Sequence, residues 1–346
     1  MFQTLKAWYA RLVAATKRKV AAWFRRAKPT ERGHWSIGEH RESAGQLTFA
    51  PFVSPARDYW LYFPIYYQAT ECLPLLVMLH GCKQDAKTFA AGTGMNALAD
   101  RERFLVLYPE QQRLANLYRC WNWFDPSSHS GNGEAAIIAG MVRMLGPKHN
   151  VDPERIYVAG ISAGGATASV LASCYADLFA AVAVHSGLMF QAASSAAVAL
   201  TVMHHGSDYD PAHAAQAAFD LSGKKVADMP IMVIHGDRDR TVDPLNADQI
   251  VAQFSALNRL IADGKNTVFD ETQHEENVAS NGTRYGYQVK DYGNSLRPYI
   301  RQVTVHGLAH AWAGGNARYP YNDPRGPDAN ELMWSFFKLH RREQAG

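Results

Sequence analysis

The chain alternates between short, nearly continuous apolar runs and longer segments in which apolar residues recur at helical spacing. The runs are typical of strands that helices cover on both faces, as in a parallel sheet. They lie at 57–64, 73–80, 104–109, 155–159, 179–184 and 230–234. A further run at 300–305 partly alternates polar and apolar residues, which predicts a strand nearer the edge of the sheet. Helices are predicted at 88–101, 133–145, 246–261 and 331–339.

Strands that alternate with helices predict an α/β fold, in which right-handed crossovers place helices on a mostly parallel sheet. A chain of 346 residues, 47% of them hydrophobic, is long enough for one large core. We therefore expect a single domain over 46–346, with a polar hairpin excursion at 266–294. The segment 1–45 is expected to be an N-terminal extension that ends in a linker at 29–45.

The first 30 residues carry eight Lys and Arg side chains and no acidic residue. Removing these eight charges from the formal net charge of +3 leaves −5 for the rest of the chain. Apolar residues in this segment recur with a period of about 3.6, which predicts a short basic amphipathic helix. Residues 1–28 could then associate with an anionic membrane or a granule surface. Packing on the folded body, or partial disorder, is the equally favoured alternative.

Composition also excludes several classes of function. A net charge of +3, concentrated at one end, gives no support for nucleic-acid binding. No window approaches the roughly 20 apolar residues of a membrane span, and the scattered N-terminal charges are not typical of a secretory signal. We expect neither a metal nor an organic cofactor. The pattern does not indicate an oligomeric state.

Candidate chemistry centres on Gly160-Ile161-Ser162-Ala163-Gly164, directly after the run at 155–159. A G-x-S-x-G sequence between a buried strand and a helix is typical of a nucleophile elbow, a strained turn that lifts a serine above the sheet. Glycines permit the close approach of backbone segments that this turn requires. Ser162 is therefore predicted to be a catalytic nucleophile. The alternative is an ordinary glycine-rich connection.

A serine nucleophile needs a histidine base and an acid that orients it, and candidates for both follow late strands. The run at 230–234 leads into a segment that holds Asp237 and Asp239. The spacing favours Asp239 as the acid, with Asp237 as a turn former. After the last predicted strand, His310 is favoured over His306, because His310 lies further along the loop. His306 is expected to pack at the strand end.

Backbone N–H donors must face the oxygen of the tetrahedral intermediate in acyl transfer. The amide of Ala163, directly after the serine, is one predicted donor. The loop after the strand at 73–80 is expected to supply the other, and Cys82 is its best-placed amide. His235, at the end of a later run, is expected to hold the acid loop in place.

Four cysteines do not decide the redox compartment. Cys82 and Cys120 both lie near candidate site loops, so a bridge between them and buried free thiols are equally favoured. The aromatic residues Trp121, Trp123 and Phe124 stand in a polar loop and predict an apolar wall for a substrate group, which Trp312 is expected to join. A loop pinned by aromatic anchors is the alternative.

Taken in chain order, five motifs resemble those of the polyhydroxybutyrate (PHB) depolymerase family of esterases, which is itself similar to feruloyl and acetylxylan esterases. They are Leu79-His80-Gly81-Cys82-Lys83-Gln84, the 105–111 segment, Cys120-Trp121-Asn122-Trp123-Phe124, the 160–164 elbow and His310-Ala311-Trp312. The resemblance covers roughly 57–339. It implies an α/β-hydrolase fold, a triad of Ser162, Asp239 and His310, and hydrolysis of short-chain hydroxyalkanoate or related carboxylic esters.

The predicted activity is that of a cofactor-independent serine esterase acting on polyhydroxyalkanoate oligomers, with feruloyl- or acetylxylan-type esters as the alternative. A peptidase of the same fold and a non-catalytic granule-binding protein are less favoured. Many members of the family that this chain resembles are secreted, which implies an extracellular location. The basic N-terminal segment favours instead the cytoplasm or a granule or membrane surface.

Overall fold

A computed structural model describes residues 32–42, 56–222, 228–262, 272–293 and 296–342. The amphipathic helix predicted at 1–28 lies outside these described residues. Within them the strands are β1 (His34–Arg41), β2 (Ala56–Phe63), β3 (Leu73–Leu79), β4 (Leu105–Pro109), β5 (Val151–Ile161), β6 (Ala181–His185), β7 (Ile231–Gly236), β8 (Thr272–Val278), β9 (Tyr287–Gly293), β10 (Pro298–Val305), β11 (Trp312–Ala313) and β12 (Asn322–Asp323). The helices are α1 (Ala86–Thr93), α2 (Met95–Glu102), α3 (Pro126–His129), α4 (Gly133–Lys148), α5 (Ala163–Cys174), α6 (Ala196–His205), α7 (Pro211–Ser222), α8 (Leu245–Ala262) and α9 (Ala329–Phe337).

Among the described residues, ten strands form one sheet in the order β1-β2-β4-β3-β5-β6-β7-β10-β9-β8. The strands from β4 to β10 in this order are parallel to one another. The outer strands on both sides are antiparallel. Helices flank this mixed sheet, which confirms the predicted α/β-hydrolase fold. Because parallel strands end on the same side, the loops after β3, β5, β6, β7 and β10 meet at one edge of the sheet.

The central strands carry the core of the molecule. Every residue of β4, β6 and β7 is buried, as is β3 beyond its first residue. Leu75, Val77 and Leu79 of β3 belong to a hydrophobic cluster that also holds apolar residues of α4 and α5. On the other side of the sheet, Tyr157 of β5 stacks on Phe337 of α9 at 4.8 Å between ring centroids. Both faces are therefore covered, which explains the nearly continuous apolar runs.

The prediction of one helix at 88–101 is wrong, because two helices meet at Gly94 in this segment. This residue has φ of 70°, ends α1 and precedes α2. A left-handed residue cannot continue an α-helix, and glycine adopts this conformation without a steric penalty. The start of α1 is fixed by a capping box in which Asp85 accepts the amide of Thr88 and the Thr88 side chain accepts the amide of Asp85.

The segment 29–45, expected to be a linker, contains strand β1. β1 pairs antiparallel with β2 along its whole length, and Trp35 packs edge-on against Tyr62 at 5.1 Å. As the outermost strand it has one neighbour, and its residues are mostly exposed or half-buried. An outer strand of this kind needs no apolar run, so its polar sequence did not distinguish it from a linker.

β10 is not as near the sheet edge as its mixed pattern predicts. It lies between β7 and β9, because the hairpin of β8 and β9 extends the sheet beyond it. This hairpin occupies part of the polar excursion predicted at 266–294. β10 remains partly polar because its outer neighbours form a small antiparallel extension, in which β9 is only half-buried.

Two helices between β6 and β7, α6 and α7, were not predicted from the pattern. Both are rich in alanine, and few of their residues are buried. These are Ala199 and Val202 in α6, and Ala214, Ala215 and Ala218 in α7. Such narrow apolar stripes give a weak helical pattern. None of the helices within the described ranges combines the length and apolarity needed to cross a bilayer.

Candidate active site

Ser162 stands in a strained turn between β5 and α5. Its φ is 57° and its ψ is −123°, a conformation that side-chain-bearing residues rarely adopt. A Cβ at Gly160 would lie 2.3 Å from the carbonyl oxygen of Gly164, and one at Gly164 would lie 2.2 Å from that of Leu79. The two glycines therefore allow the turn to close tightly. The Ser162 amide donates to the carbonyl oxygen of His185 at 3.0 Å, which ties the turn to β6.

Asp239 and His310 form a buried pair at the same edge of the sheet. His310 Nδ1 and Asp239 Oδ2 are 2.7 Å apart, and the Asp239 side chain has no exposed surface. The other carboxylate oxygen accepts the amides of Thr241 and Val242, both at 2.9 Å. His235 lies behind the pair, with Nε2 donating to the carbonyl oxygen of Val242 at 2.9 Å. His235 thus holds the acid loop, as expected.

The electrostatics of this pair favour an ionised Asp239. Burial on its own raises the pKa of the carboxyl group, because the charged form is poorly solvated. The hydrogen bond and charge of His310, together with the Val242 amide and His235, outweigh burial and hold the pKa of Asp239 below its usual value. The carboxylate therefore accepts the Nδ1 proton of His310, and Nε2 is left as the basic nitrogen.

Asp237 and His306 form a second, exposed pair. His306 Nδ1 is 3.1 Å from Asp237 Oδ2, and the amide of Gly307 donates to Asp237 Oδ1 at 2.7 Å. The expectation that His306 packs at the strand end is wrong, since about half of its side chain is exposed. Asp237 does accept a backbone amide, but from the loop after β10 rather than from its own turn.

The order of the strands brings the predicted residues to one side of the sheet. Ser162 follows β5, Asp239 follows β7 and His310 follows β10, and β5, β6, β7 and β10 are consecutive parallel neighbours. Side chains after these strands therefore share one edge. Within the described ranges, no three His, Cys, Asp or Glu side chains are grouped as metal ligands.

His185, at the end of β6, was not identified from the sequence. Its Nε2 accepts the amide of Ala313 at 3.1 Å, and its ring stacks on Trp312 at 5.2 Å. Burial, followed by the neighbouring charges of His235 and His310, lowers the pKa of His185 to about 3. A neutral ring can accept the Ala313 amide and so holds the loop that carries His310. The signal was a polar residue directly after the apolar run at 179–184.

The loop after β3 contains Cys82, whose amide is a predicted oxyanion donor. His80 Nδ1 donates to the carbonyl oxygen of Gly81 at 2.8 Å, and the amide of Gly81 donates to the side chain of Gln84 at 2.9 Å. Among the described residues, none accepts the amide of Cys82. Ala163 is the first residue of α5, where backbone amides have no acceptor within the helix. Both predicted donors are therefore available for a ligand.

A disulfide bond joins Cys82 to Cys120, so the bridge rather than the free thiols is present. It links the loop after β3 to the loop that holds Trp121, Trp123 and Phe124, which is called the aromatic loop below. The two cysteines are 38 positions apart in sequence. Cys72 and Cys174 are free cysteines, and burial raises the pKa of the Cys174 thiol to about 12.

A buried polar network supports the same two loops. Glu134 of α4 pairs with Arg57 of β2 at 3.0 Å and accepts the amide of Asn122 at 2.7 Å. The side-chain oxygen of Gln111 accepts a hydrogen bond from Arg57 Nε at 2.8 Å, and the backbone amide of Gln111 donates to His80 Nε2 at 3.1 Å. The network therefore connects the aromatic loop to the loop that carries Cys82. Sequence reasoning missed it because its members are far apart in the chain.

The predicted aromatic wall is only partly accessible. Trp121 and Trp312 are fully buried, Trp123 is 4% exposed and Phe124 is half-buried. The Trp312 indole N–H donates to Asn330 Oδ1 at 3.1 Å, inside the core. This burial favours the anchoring alternative for Trp121 and Trp312, and it leaves Phe124 as the most accessible member of the group.

Tyr321 is an accessible aromatic residue beside the candidate base. Its ring lies 6.4 Å from the His310 ring, and its carbonyl oxygen accepts the Trp312 amide at 2.8 Å. The pattern did not single it out, although a tyrosine in a polar loop after the candidate base was a usable signal.

Known proteins resemble the chain over more than half of its length. A sequence profile of the family described as esterase PHB depolymerase matches residues 57–278, a range that includes Ser162 and Asp239 and ends before His310. Poly(3-hydroxyalkanoate) depolymerase C of Paucimonas lemoignei is 35% identical over 241 residues, which are 68% of this chain and 54% of that protein. Feruloyl esterase B of Thermothelomyces thermophilus is 28% identical over 197 residues, covering 53% of this chain and 64% of that protein.

A solved structure of an acetyl xylan esterase from Aspergillus awamori matches with a TM-score of 0.67 and 19% identity, covering 88% of this chain and 99% of that one. This likeness shows the fold alone. The chain spans about half the length of the depolymerase it matches. The profile covers well over half of the chain, so the chain belongs to the esterase PHB depolymerase family.

Proposed function

We propose that this chain is a serine esterase that hydrolyses short-chain polyhydroxyalkanoate oligomers or related carboxylic esters. The observation that carries the proposal is the buried Asp239–His310 pair, at the sheet edge where Ser162 stands in its strained turn. A carboxylate, a histidine whose Nε2 is left as the basic nitrogen and a serine at a nucleophile elbow are the parts of an acyl-transfer site.

In the acylation step, His310 Nε2 removes the proton from Ser162 as Oγ attacks the ester carbonyl. A new Oγ–C bond forms and the carbonyl oxygen becomes an oxyanion, which the amides of Cys82 and Ala163 bind. Asp239 stays ionised and stabilises the imidazolium of His310. The C–O bond to the alcohol then breaks, and His310 gives its proton to the leaving oxygen.

In the deacylation step, water takes the place of the alcohol. His310 removes a proton from the water, which attacks the acyl-enzyme carbonyl, and the same two amides bind the second oxyanion. Collapse of this intermediate releases the carboxylic acid and returns the proton to Ser162. Besides substrate and water, the proposed cycle uses side chains and backbone amides of this chain.

The substrate class rests on the relatives. The depolymerase of Paucimonas lemoignei is named for poly(3-hydroxyalkanoate), and the matched family is that of PHB depolymerases. Feruloyl esterase B, at lower identity, supports an aromatic ester as the alternative. A panel of 3-hydroxybutyrate trimer, methyl ferulate, acetylated xylan and a peptide amide is expected to give the highest kcat/KM with the trimer. A higher kcat/KM with another substrate of the panel would contradict the hydroxyalkanoate assignment and favour the class of that substrate.

The decisive variant is Ser162→Ala. We expect kcat/KM for p-nitrophenyl butyrate to fall by about 10⁴-fold or more, with loss of labelling by a fluorophosphonate probe. Ser173→Ala is the matched control, because Ser173 is a buried serine of α5 whose hydroxyl donates to the Ser169 carbonyl at 2.9 Å. Its activity should stay within about two-fold of the parent. Normal turnover by Ser162→Ala, with an unchanged circular dichroism spectrum, would exclude Ser162 as the nucleophile.

A further inference from the structure

A cavity of about 390 Å³ adjoins the loop that carries the Cys82 amide. Lys83, Asp85, Arg113, Leu117, Tyr118 and Arg119 line it. Lys83 directly follows Cys82 and Arg119 directly precedes Cys120, so the disulfide bond holds two walls of the cavity together. The Lys83 amide also donates to the carbonyl oxygen of Tyr118 at 2.6 Å. The cavity is therefore fixed to the loop that would bind the oxyanion.

The charges around this cavity are predominantly positive. Arg119 is shared between Asp85, at 3.3 Å, and Glu110, at 3.5 Å. Asp85, the one carboxylate among the lining residues, also accepts the amide of Thr88 at the start of α1, and the three cations of the lining outnumber it.

Two cations of the lining remain uncompensated. Lys83 and Arg113 are both exposed, and among the described residues neither has a carboxylate within ion-pair distance. The Lys83 ammonium lies 5.8 Å from the centre of the Tyr118 ring, which leaves its three N–H donors free to bind an anion. Arg113 presents a planar fork that matches a carboxylate.

Two of the six lining residues, on one side of this mostly polar cavity, form an apolar wall. Leu117 is 82% exposed and Tyr118 is 65% exposed, although large apolar side chains are normally covered. An apolar wall next to two free cations suits a ligand that is aliphatic along its length and anionic at one end. A hydroxyalkanoate oligomer with a free acid terminus has this composition, whereas a ferulate ester and acetylated xylan do not.

We propose that this cavity is a subsite for the terminal carboxylate of a hydroxyalkanoate oligomer, bound by Lys83 and Arg113 on the leaving-alcohol side of the scissile ester. This inference rests on the proposed esterase function. In such an oligomer the acid end lies on the alcohol side of every ester bond. Attack by Ser162 breaks the C–O bond and releases a hydroxy acid, whose alkoxide takes the proton from His310 and whose carboxylate stays on the two cations. Leu117 and Tyr118 contact its alkyl part.

The test compares cleavage of the internal ester bonds in 3-hydroxybutyrate trimer as the free acid and as its methyl ester, in which a neutral methyl ester replaces the terminal carboxylate. For the parent enzyme we expect kcat/KM to be roughly ten-fold higher for the free acid, as two partly exposed ion pairs would give. In Arg113→Gln/Lys83→Gln this preference should fall to about one, while hydrolysis of the methyl ester and of p-nitrophenyl butyrate stays within about two-fold. Added salt near 1 M should reduce the preference of the parent enzyme in the same way.

Lys148→Gln, which removes an exposed lysine at the end of α4, is the matched control and should keep the preference. Equal kcat/KM for the acid and the methyl ester in the parent enzyme, or a preference that survives the double variant, would overturn the subsite. Failure to hydrolyse even p-nitrophenyl butyrate would instead contradict the esterase function, and the subsite with it. Normal hydrolysis of that neutral ester without acid preference would contradict the subsite alone.

Discussion

Asp237 and Asp239 are two positions apart, yet they bind different histidines in different surroundings. Asp237 and His306 are both substantially exposed, so water screens their charges and the pair contributes about 0–1 kcal/mol to stability. Asp239 is fully buried, accepts two backbone amides and contacts His310 at 2.7 Å. Only the second arrangement holds a histidine in one tautomer and orientation, which is what a general base needs.

The two aspartates should therefore respond differently to the same change. Asp239→Asn keeps the shape of the side chain but removes the charge that stabilises the His310 imidazolium, so kcat for p-nitrophenyl butyrate should fall by about 10³–10⁴-fold. Asp237→Asn is the matched control, expected to remain within about two-fold. Steady-state kinetics of the two purified variants make the comparison. A larger loss in Asp237→Asn would move the acid role to Asp237.

At the scale of elements, the proposed site includes two loops that are held by a cross-link and by side chains packed beneath them. The loop after β3 carries the Cys82 amide, and the aromatic loop follows β4. The disulfide bond joins them directly, while Glu134 of α4 and Gln111 brace them from the interior. An oxyanion donor contributes to catalysis only if its position is set before the reaction begins, so this bracing bears on rate as well as on stability.

Removing the disulfide should therefore lower both stability and activity. In Cys82→Ala/Cys120→Ala we expect the free energy of unfolding to fall by about 2–4 kcal/mol, because the unfolded chain is no longer constrained by the cross-link. We also expect kcat to fall about ten-fold or more, because the backbone amide of residue 82 loses its fixed orientation. Urea unfolding and p-nitrophenyl butyrate kinetics measure the two effects.

Cys72→Ala, which removes an exposed free cysteine, is the control and should change neither quantity. Reduction of the parent protein should reproduce the behaviour of the double variant, and the double variant should be insensitive to reductant. A double variant as stable and as active as the parent would show that the buried network alone positions the loop.

At the scale of the whole molecule, the fold buries several histidines in their neutral form. Burial lowers the pKa of His80 to about 4, and burial with neighbouring positive charge lowers the pKa of His185 and His340 to about 3. The unfolded chain returns each to about 6.5. Between these values the unfolded state binds more protons than the folded state. The stability that these neutral histidines contribute is therefore fully present above pH 6.5 and is lost as the pH falls.

We therefore expect the protein to lose stability on acidification, by about 2 kcal/mol per buried histidine between pH 8 and pH 5. His340→Gln tests one of them at a place remote from Ser162, where His340 packs on Phe336 at 4.5 Å. The variant should be less stable at pH 8, but its unfolding free energy should change with pH by about 2 kcal/mol less than that of the parent. His213→Gln, at an exposed position, should keep the parental pH dependence. An unchanged dependence in His340→Gln would show that this residue does not contribute to it.

Much of the fold could be predicted because its central strands are local patterns. Buried parallel strands such as β3 and β7 are nearly continuous apolar runs, and these appeared at the right places. β1 could not be predicted, since an outer strand needs no apolar run, nor could the break at Gly94, which a helical pattern continues across. α6 and α7 were not predicted, because few of their residues are buried and their apolar pattern is weak.

For the candidate site, residue types and spacing predicted Ser162 as the nucleophile, Asp239 as the acid and His310 as the base. Spacing favoured Asp239 over Asp237, and position along the loop favoured His310 over His306, but neither could show which histidine each aspartate contacts. The cavity beside Lys83 could not be predicted at all, since its walls come from two loops.

By itself, the sequence determined the α/β-hydrolase fold class, the family and the serine turn, because a buried strand, its glycines and the helix that follows are contiguous in the chain. Only the tertiary structure decided that Asp239 meets His310 across 71 positions, that Cys82 binds Cys120, and that Trp121 and Trp312 are buried. These outcomes depend on which atoms come into contact when distant loops gather at one edge of the sheet. The physical reason is that desolvation and charge pairing act between neighbours in space, and a linear pattern records only neighbours in the chain.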